Sequence, residues 1–194
     1  DGVSWLDVNF SDRNSLKEFL FIIRDLGPFD GLVNNAGVNR IKSIISVEDL
    51  DYDFVHDVNL RTPYLICREV IGKMTEEGSG RVVNIASIWS EVTKSHRSLY
   101  SSSKTGLVGM TRAIAAEVGS SGVQVNLVSP GFVLTDMTRE SLTTQEIEEL
   151  TSQVPMKKMA DPQDIAEVVC FLLSDKNKYI NGQNIVVDGG FSII

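Results

Sequence analysis

The chain has 194 residues, 42% of them hydrophobic and 23% charged, which suits one globular domain with a sizeable core. Eighteen Lys and Arg against 26 Asp and Glu give a formal net charge of −8, and no basic stripe or tail is present, which excludes a nucleic-acid binder. No apolar run reaches membrane-span length and no signal peptide is visible, so no membrane association and a cytoplasmic location are expected. Cys67 and Cys170 read as free reduced thiols. His56 and His96 are too few and too far apart for a zinc site, and no metal is expected.

Residues 3–8 read as a short strand, and residues 15–26 carry apolar side chains at helical spacing before the stop at Gly27-Pro28. Residues 31–35 look like a buried strand running into Ala36-Gly37. One long helix is expected over 50–74, stopped by Gly78-Ser79-Gly80, then a strand over 81–86. A helix over 99–118, a strand over 123–128 ending at Pro130-Gly131, helices over 144–152 and 162–173, and a strand over 184–188 complete the series. Strands separated by helices imply parallel strands joined by right-handed crossovers. The expected fold is therefore α/β, a doubly wound parallel sheet of Rossmann type, in one domain over residues 1–194.

Tyr100 and Lys104 stand four residues apart in a helical stretch and share a face about one turn apart. An ammonium beside a phenol favours the phenolate and lowers the Tyr pKa from about 10, which makes Tyr usable in proton transfer near neutral pH. A plain helix surface carries such pairs too. Ser87 sits at the C-terminal end of an expected parallel strand, the edge where open α/β sheets bind ligands. Its hydroxyl can steady a developing alkoxide, or simply cap a loop. Asn35-Ala36-Gly37 lets a flat cofactor approach the backbone, or makes an ordinary turn. Asn59 is a poor helix former inside a helical pattern, which suits a structural or a functional hydrogen bond. Pro130-Gly131 can line a pocket or merely end a strand.

The ordered set Asn34-Asn35-Ala36-Gly37, Asn59, Ser87, Tyr100, Ser103, Lys104 and Pro130-Gly131 resembles the short-chain dehydrogenase/reductase family in its smaller single-domain branch, over residues 7–190. Residues 128–137 and 179–183 are most similar to the β-ketoacyl-acyl-carrier-protein reductases of that family. The resemblance implies an enzyme that moves a hydride between NADP or NAD and a carbonyl or alcohol. It implies that Tyr100 exchanges the proton with the substrate oxygen and that Lys104 lowers its pKa and holds the nicotinamide ribose. Ser87 would orient the carbonyl, and Asn59 would hold a water in a proton relay from Lys104. It places Asp7 and Val8 beside the adenine, Asn35, Ala36 and Gly37 along the cofactor path, and Pro130, Gly131, Val133 and Thr135 at the nicotinamide end.

The family's glycine-rich turn, Thr-Gly-x-x-x-Gly-x-Gly, does not occur in these residues. The expectation is thus an N-terminally truncated domain without its first strand-helix-strand-helix block, with the strand at Leu32-Val33 left as an exposed apolar edge. Weak nucleotide binding by these residues alone is expected, and the choice between NAD and NADP is not legible. The substrate is a small carbonyl or alcohol, with an acyl-carrier-linked one open; Arg40, Lys42, Lys94 and Arg97 are the basic residues near the mouth. Residues 89–98 are expected to border the substrate, with His96-Arg97 either meeting an anionic or polar group or lying in a solvated loop. Residues 137–159 are expected as a lid. Leu60, Tyr64, Leu65 and Val70, with Leu107, Met110 and Ile114, suggest a homodimer or homotetramer. The alternative to an enzyme is an inactive fragment, or a binding or scaffold protein on the same fold.

Overall fold

The computed structural model describes residues 2–135, 138–139 and 142–194. Residues 3–8, expected as a strand, form none, and Val3 and Trp5 are 68% and 91% exposed. A strand persists only where its N–H and C=O groups find a ladder, and no described segment pairs with this one. Asp12 then opens α1 (Arg13–Leu26) by accepting the Asn14 and Ser15 N–H groups, the usual work of an Asp N-cap. Leu16, Leu20 and Ile23 form its buried stripe.

Four parallel strands follow, β1 (Gly31–Asn34), β2 (Gly80–Ile85), β3 (Val123–Pro130) and β4 (Asn184–Val187), paired in that order. The crossovers are α2 (Asp49–His56) and α3 (Thr62–Glu77), then α4 (Ser98–Val118), then α5 (Thr144–Gln153) and α6 (Pro162–Leu173). Val82, Val123 and Val125 pack with α1, α3 and α4 through Leu20, Cys67, Met74 and Ala115. Val83 and Val128 face the other way, onto Leu172, Ile165 and Val169 of α6. Neighbouring residues of one strand thus enter different layers, as a period of two requires. The doubly wound parallel sheet is the expected one.

The stretch expected as one long helix is broken. Asp57–Arg61 forms a wide π turn between α2 and α3. Asn59 sits inside it, fully buried, with its side-chain amide bound to both backbone groups of Val38. An Asn that bonds backbone outside its own helix competes with regular helical geometry, and such bulges recur at functional sites.

β1 pairs only with β2, and among the described residues its other edge is open, leaving Val33 40% exposed. Beside it lies an apolar hollow of about 320 Å³, lined by Phe19, Ile23, Leu32, Val33, Ile66 and Val70 among others. Both cysteines are free; burial pushes the Cys67 thiol up to about 12, against a hydrogen bond from Asn34, while Cys170 is exposed. Among the described residues no helix is long and apolar enough to cross a membrane, and no three His, Cys, Asp or Glu side chains cluster as metal ligands.

Candidate active site

Ser87 lies just past the C-terminal end of β2, in extended backbone. Its Oγ accepts the Trp89 N–H at 3.2 Å and caps the short turn Ile88–Ser90, so the capping reading holds. The hydroxyl proton remains available for a second partner. Tyr100, in the first turn of α4, brings its hydroxyl against Ser87. Burial raises the Tyr100 pKa, and the Ser87 contact and the Arg97 charge only partly offset it. The phenol is therefore held protonated at neutral pH, the form that donates a proton.

Lys104 was expected to lower the Tyr100 pKa, and it does not dominate there. Its Nζ lies 5.7 Å from the Tyr100 ring centroid. Lys104 is 3% exposed, and that burial pushes its own pKa down to about 8. Both groups are desolvated, and desolvation opposes the charged form of each. Nζ donates to the Ile85 carbonyl at 2.7 Å, one bond from a group with three donors. Gly37 borders it: a Cβ there would stand 3.3 Å from Nζ and 3.7 Å from Asn59 Oδ1. The absent side chain keeps the front of the ammonium open.

Asn59 Oδ1 accepts the Val38 N–H at 2.8 Å, and Nδ2 donates to the Val38 carbonyl at 2.9 Å and to Ser103 Oγ at 3.0 Å. Both donors are spent, so an expected water on this amide has only the spare lone pair of Oδ1. Ser103 Oγ donates to the Tyr100 carbonyl at 2.8 Å, tying Asn59 to the helix that carries Tyr100 and Lys104. Asn34 turns inward instead: its Nδ2 meets Asn84 Oδ1 at 2.8 Å, and Asn84 Nδ2 meets Thr111 Oγ1 at 2.8 Å. That is a buried polar chain across β1, β2 and α4.

The remaining expected residues divide. Asp7 is exposed and Val8 half-buried in irregular chain, so no strand carries them to the sheet edge. Asn35, Ala36 and Gly37 leave β1 exposed, beside Lys104 at Gly37. Pro130 ends β3, and Gly131 approaches β4 so closely that a Cβ would lie 2.7 Å from Asp188 Cα. Gly131, Val133 and Thr135 line a cavity of about 800 Å³. Asp136 and Met137 of the quoted family stretch lie outside the described residues.

That cavity starts at Trp89, two residues past Ser87, and at Arg97, three before Tyr100. Trp89, Val92, Thr93, Lys94 and Arg97 form one wall, so residues 89–98 do border it. His96 does not; it is exposed with φ 66°. Of the other basic residues, Lys42 is paired with Asp51 and Arg40 lies over the Phe54 ring. From the expected lid, Thr138, Leu142, Leu150, Gln153 and Met159 face the cavity. Glu146 closes a capping box with Thr143 at the start of α5. Phe132 and Phe191 carry no role expected from the sequence. They meet at 5.0 Å between centroids, each edge-on to Trp89, and floor the cavity. Their one signal is an aromatic placed just after a strand's C-terminal end.

A parallel α/β sheet with a Tyr, a Ser and a buried Lys converging at its C-terminal edge defines a Rossmann-type oxidoreductase. Residues 2–192 match the family model described as enoyl-(acyl carrier protein) reductase. The 3-oxoacyl-[acyl-carrier-protein] reductase FabG of Thermotoga maritima is 34% identical over 187 residues, 96% of this chain and 76% of that protein. A structure provisionally assigned as an NAD(P)-dependent gluconate 5-dehydrogenase from Beutenbergia cavernae, with NADP at low occupancy, matches with TM-score 0.91 and 32% identity, covering 97% of this chain and 76% of its own. A short-chain dehydrogenase/reductase family protein matches with TM-score 0.90 and 30% identity, covering 100% and 78%. The chain belongs to the short-chain dehydrogenase/reductase family of NAD(P)-dependent oxidoreductases. None of these matches supports the inactive or scaffold alternative.

Proposed function

We propose that the chain interconverts a small carbonyl compound and its alcohol, with Tyr100 as proton donor, Ser87 as the second hydrogen-bond donor to the carbonyl oxygen, and Asn59 and Lys104 as the groups that position them. The observation that carries this reading is the protonated, half-buried Tyr100 phenol facing the Ser87 hydroxyl beside the 800 Å³ cavity. Two donors aimed at one point stabilise the charge that develops on a carbonyl oxygen. NADP or NAD supplies or accepts the hydride; the protein orients and polarises. Lys104, with two unspent donors, and Gly37, whose side chain would crowd them, fit the sugar hydroxyls of such a nucleotide. Loss of NADPH or NADH absorbance on adding a panel of ketones and aldehydes tests the reading. Silence with every carbonyl and both nucleotides would end it.

A second substrate class, 3-oxoacyl thioesters on acyl carrier protein, is favoured by the names of the curated relatives. The net charge of −8 opposes docking of an acidic carrier. Tight, salt-sensitive binding of acyl carrier protein in a titration would establish it, and absence of binding at low salt would remove it.

We also infer a homodimer or homotetramer built on α3 and α4. Val70 and Leu107 turn out to be buried within the chain, which removes them from the expected contact face. Tyr64 is 54% exposed, and Leu60, Leu65, Met110 and Ile114 are half-buried. A monomeric mass in light scattering would refute the oligomer.

A further inference from the structure

The walls of the 800 Å³ cavity are mostly apolar, through Trp89, Phe132, Leu142, Leu150, Met159 and Phe191, and carry two cations, Lys94 and Arg97. Lys94 is exposed, whereas Arg97 is half-buried. The Arg97 carbonyl accepts the Ser101 N–H at 2.8 Å, which fixes its backbone at the head of α4. Its guanidinium lies 5.6 Å from the Trp89 ring centroid, a cation–π arrangement that holds the side chain over the cavity wall. Arg13, Arg24, Arg61 and Arg68 are each held by a carboxylate; Arg97 has no ion pair among the described residues. A partly desolvated, stacked guanidinium is preorganised for a planar anion. Arg97 also precedes Tyr100 by three residues, so their side chains start about 5–6 Å apart, and its charge reaches the Tyr100 hydroxyl.

We propose that Arg97 anchors the carboxylate of the substrate, and that the substrate is a short oxo acid or the corresponding hydroxy acid. The proposal rests on the reading of Tyr100 and Ser87 as the carbonyl site. The carboxylate pairs with Arg97 and the carbonyl oxygen lies at Tyr100 and Ser87. Lys94 adds attraction at the mouth, and the apolar walls take the carbon chain. In the reducing direction the carbonyl carbon gains a hydride from the reduced nicotinamide and its oxygen gains the Tyr100 proton. The products are the hydroxy acid and the oxidised nucleotide. Carrier-linked thioesters, whose acid is esterified, lack the group that Arg97 would hold.

Matched pairs test this on the intact protein. Acetoacetate against methyl acetoacetate, and levulinate against methyl levulinate, share the ketone and the carbon chain and differ in the carboxylate charge and one ester methyl. The acid is expected to exceed its ester in kcat/KM by about ten- to hundredfold, the range of a charge-assisted hydrogen bond. Arg97→Gln should collapse that ratio toward one by raising KM for the acid, and Arg97→Lys should restore part of it. Acids and esters turned over alike, or a ratio unmoved in Arg97→Gln, overturns the anchor and leaves the carbonyl reading standing. A binding measurement separates the two further. In a Trp5→Phe background Trp89 is the remaining tryptophan, and its emission should change saturably with acetoacetate in the parent and not with Arg97→Gln. Such Arg97-dependent binding without turnover of any carbonyl would sink the carbonyl reading and keep the anchor. No saturable change would overturn the anchor.

Discussion

Replacing Tyr100 by Phe is expected to lower carbonyl-reducing turnover by about 10²- to 10⁴-fold, the usual worth of a positioned general acid. The change deletes one oxygen and keeps the ring that packs in the first turn of α4. Stability should therefore move by less than about 1 kcal/mol, because the deleted hydroxyl faces only Ser87 and the open site. Nucleotide affinity should stay within a few-fold, since the sugar-facing groups at Lys104 and Gly37 are untouched. A stopped-flow or steady-state rate, read beside a fluorescence titration with NADPH, checks both halves. Half of the parent turnover in Tyr100→Phe would show that another group supplies the proton. Loss of nucleotide binding together with turnover would show a disturbed site.

Folding stability is expected to rise as pH increases from about 8 toward 10.5, through Lys104. Burial lowers its pKa from 10.5 in the unfolded chain to about 8 in the folded one. Between those values the unfolded chain binds the proton and the folded one has released it, so ν_U exceeds ν_N and stability climbs with pH. Below pH 8 both states carry the charge, and the folded state bears the whole penalty of burying it. That penalty is on the order of 3 kcal/mol, from about 2.5 pH units at 1.36 kcal/mol each. Lys104→Met removes it. The variant should be more stable than the parent at pH 7 by up to that amount, with the gap closing toward pH 10, and should lose most turnover. Parallel urea melts of parent and variant at pH 7, 8.5 and 10 decide the matter; a gap independent of pH would contradict a depressed Lys104.

β2 and β3 were legible because strands buried on both faces read as nearly continuous apolar runs, Val82-Val83 and Leu127-Val128. α6 matches its expected range of 162–173, and the structure adds that Asp161 caps it, with Pro162 in the first-turn position that proline favours. Residues 3–8 have the same β-like composition, but whether a strand forms depends on a neighbour that local pattern does not contain. Spacing gave the shared helix face of Tyr100 and Lys104 and the strand end at Ser87, and only the family resemblance implied that the three meet. The direction of the Tyr100 shift was not legible, because burial is a property of the packed molecule. The trio of Trp89, Phe132 and Phe191 comes from three separate loops, and nothing local marks them as neighbours.

Asp57–Arg61 spends one more residue on its turn than an α-helix does. In angular terms this is a phase slip of about 100°, one residue's share of a helical turn. The buried line through Val55 in α2 therefore does not continue straight into α3. Ile66, Cys67, Val70 and Met74 face the sheet because the slip has turned them there. A chain one residue shorter in this turn would recover an unbroken helix and keep that line on β2, whereas straightening the turn with all its residues kept would swing the line off by about 100°. The residue count between 57 and 61 is thus part of the hydrophobic code of α3, and the inward positions after this turn are read one residue out of step with those before it.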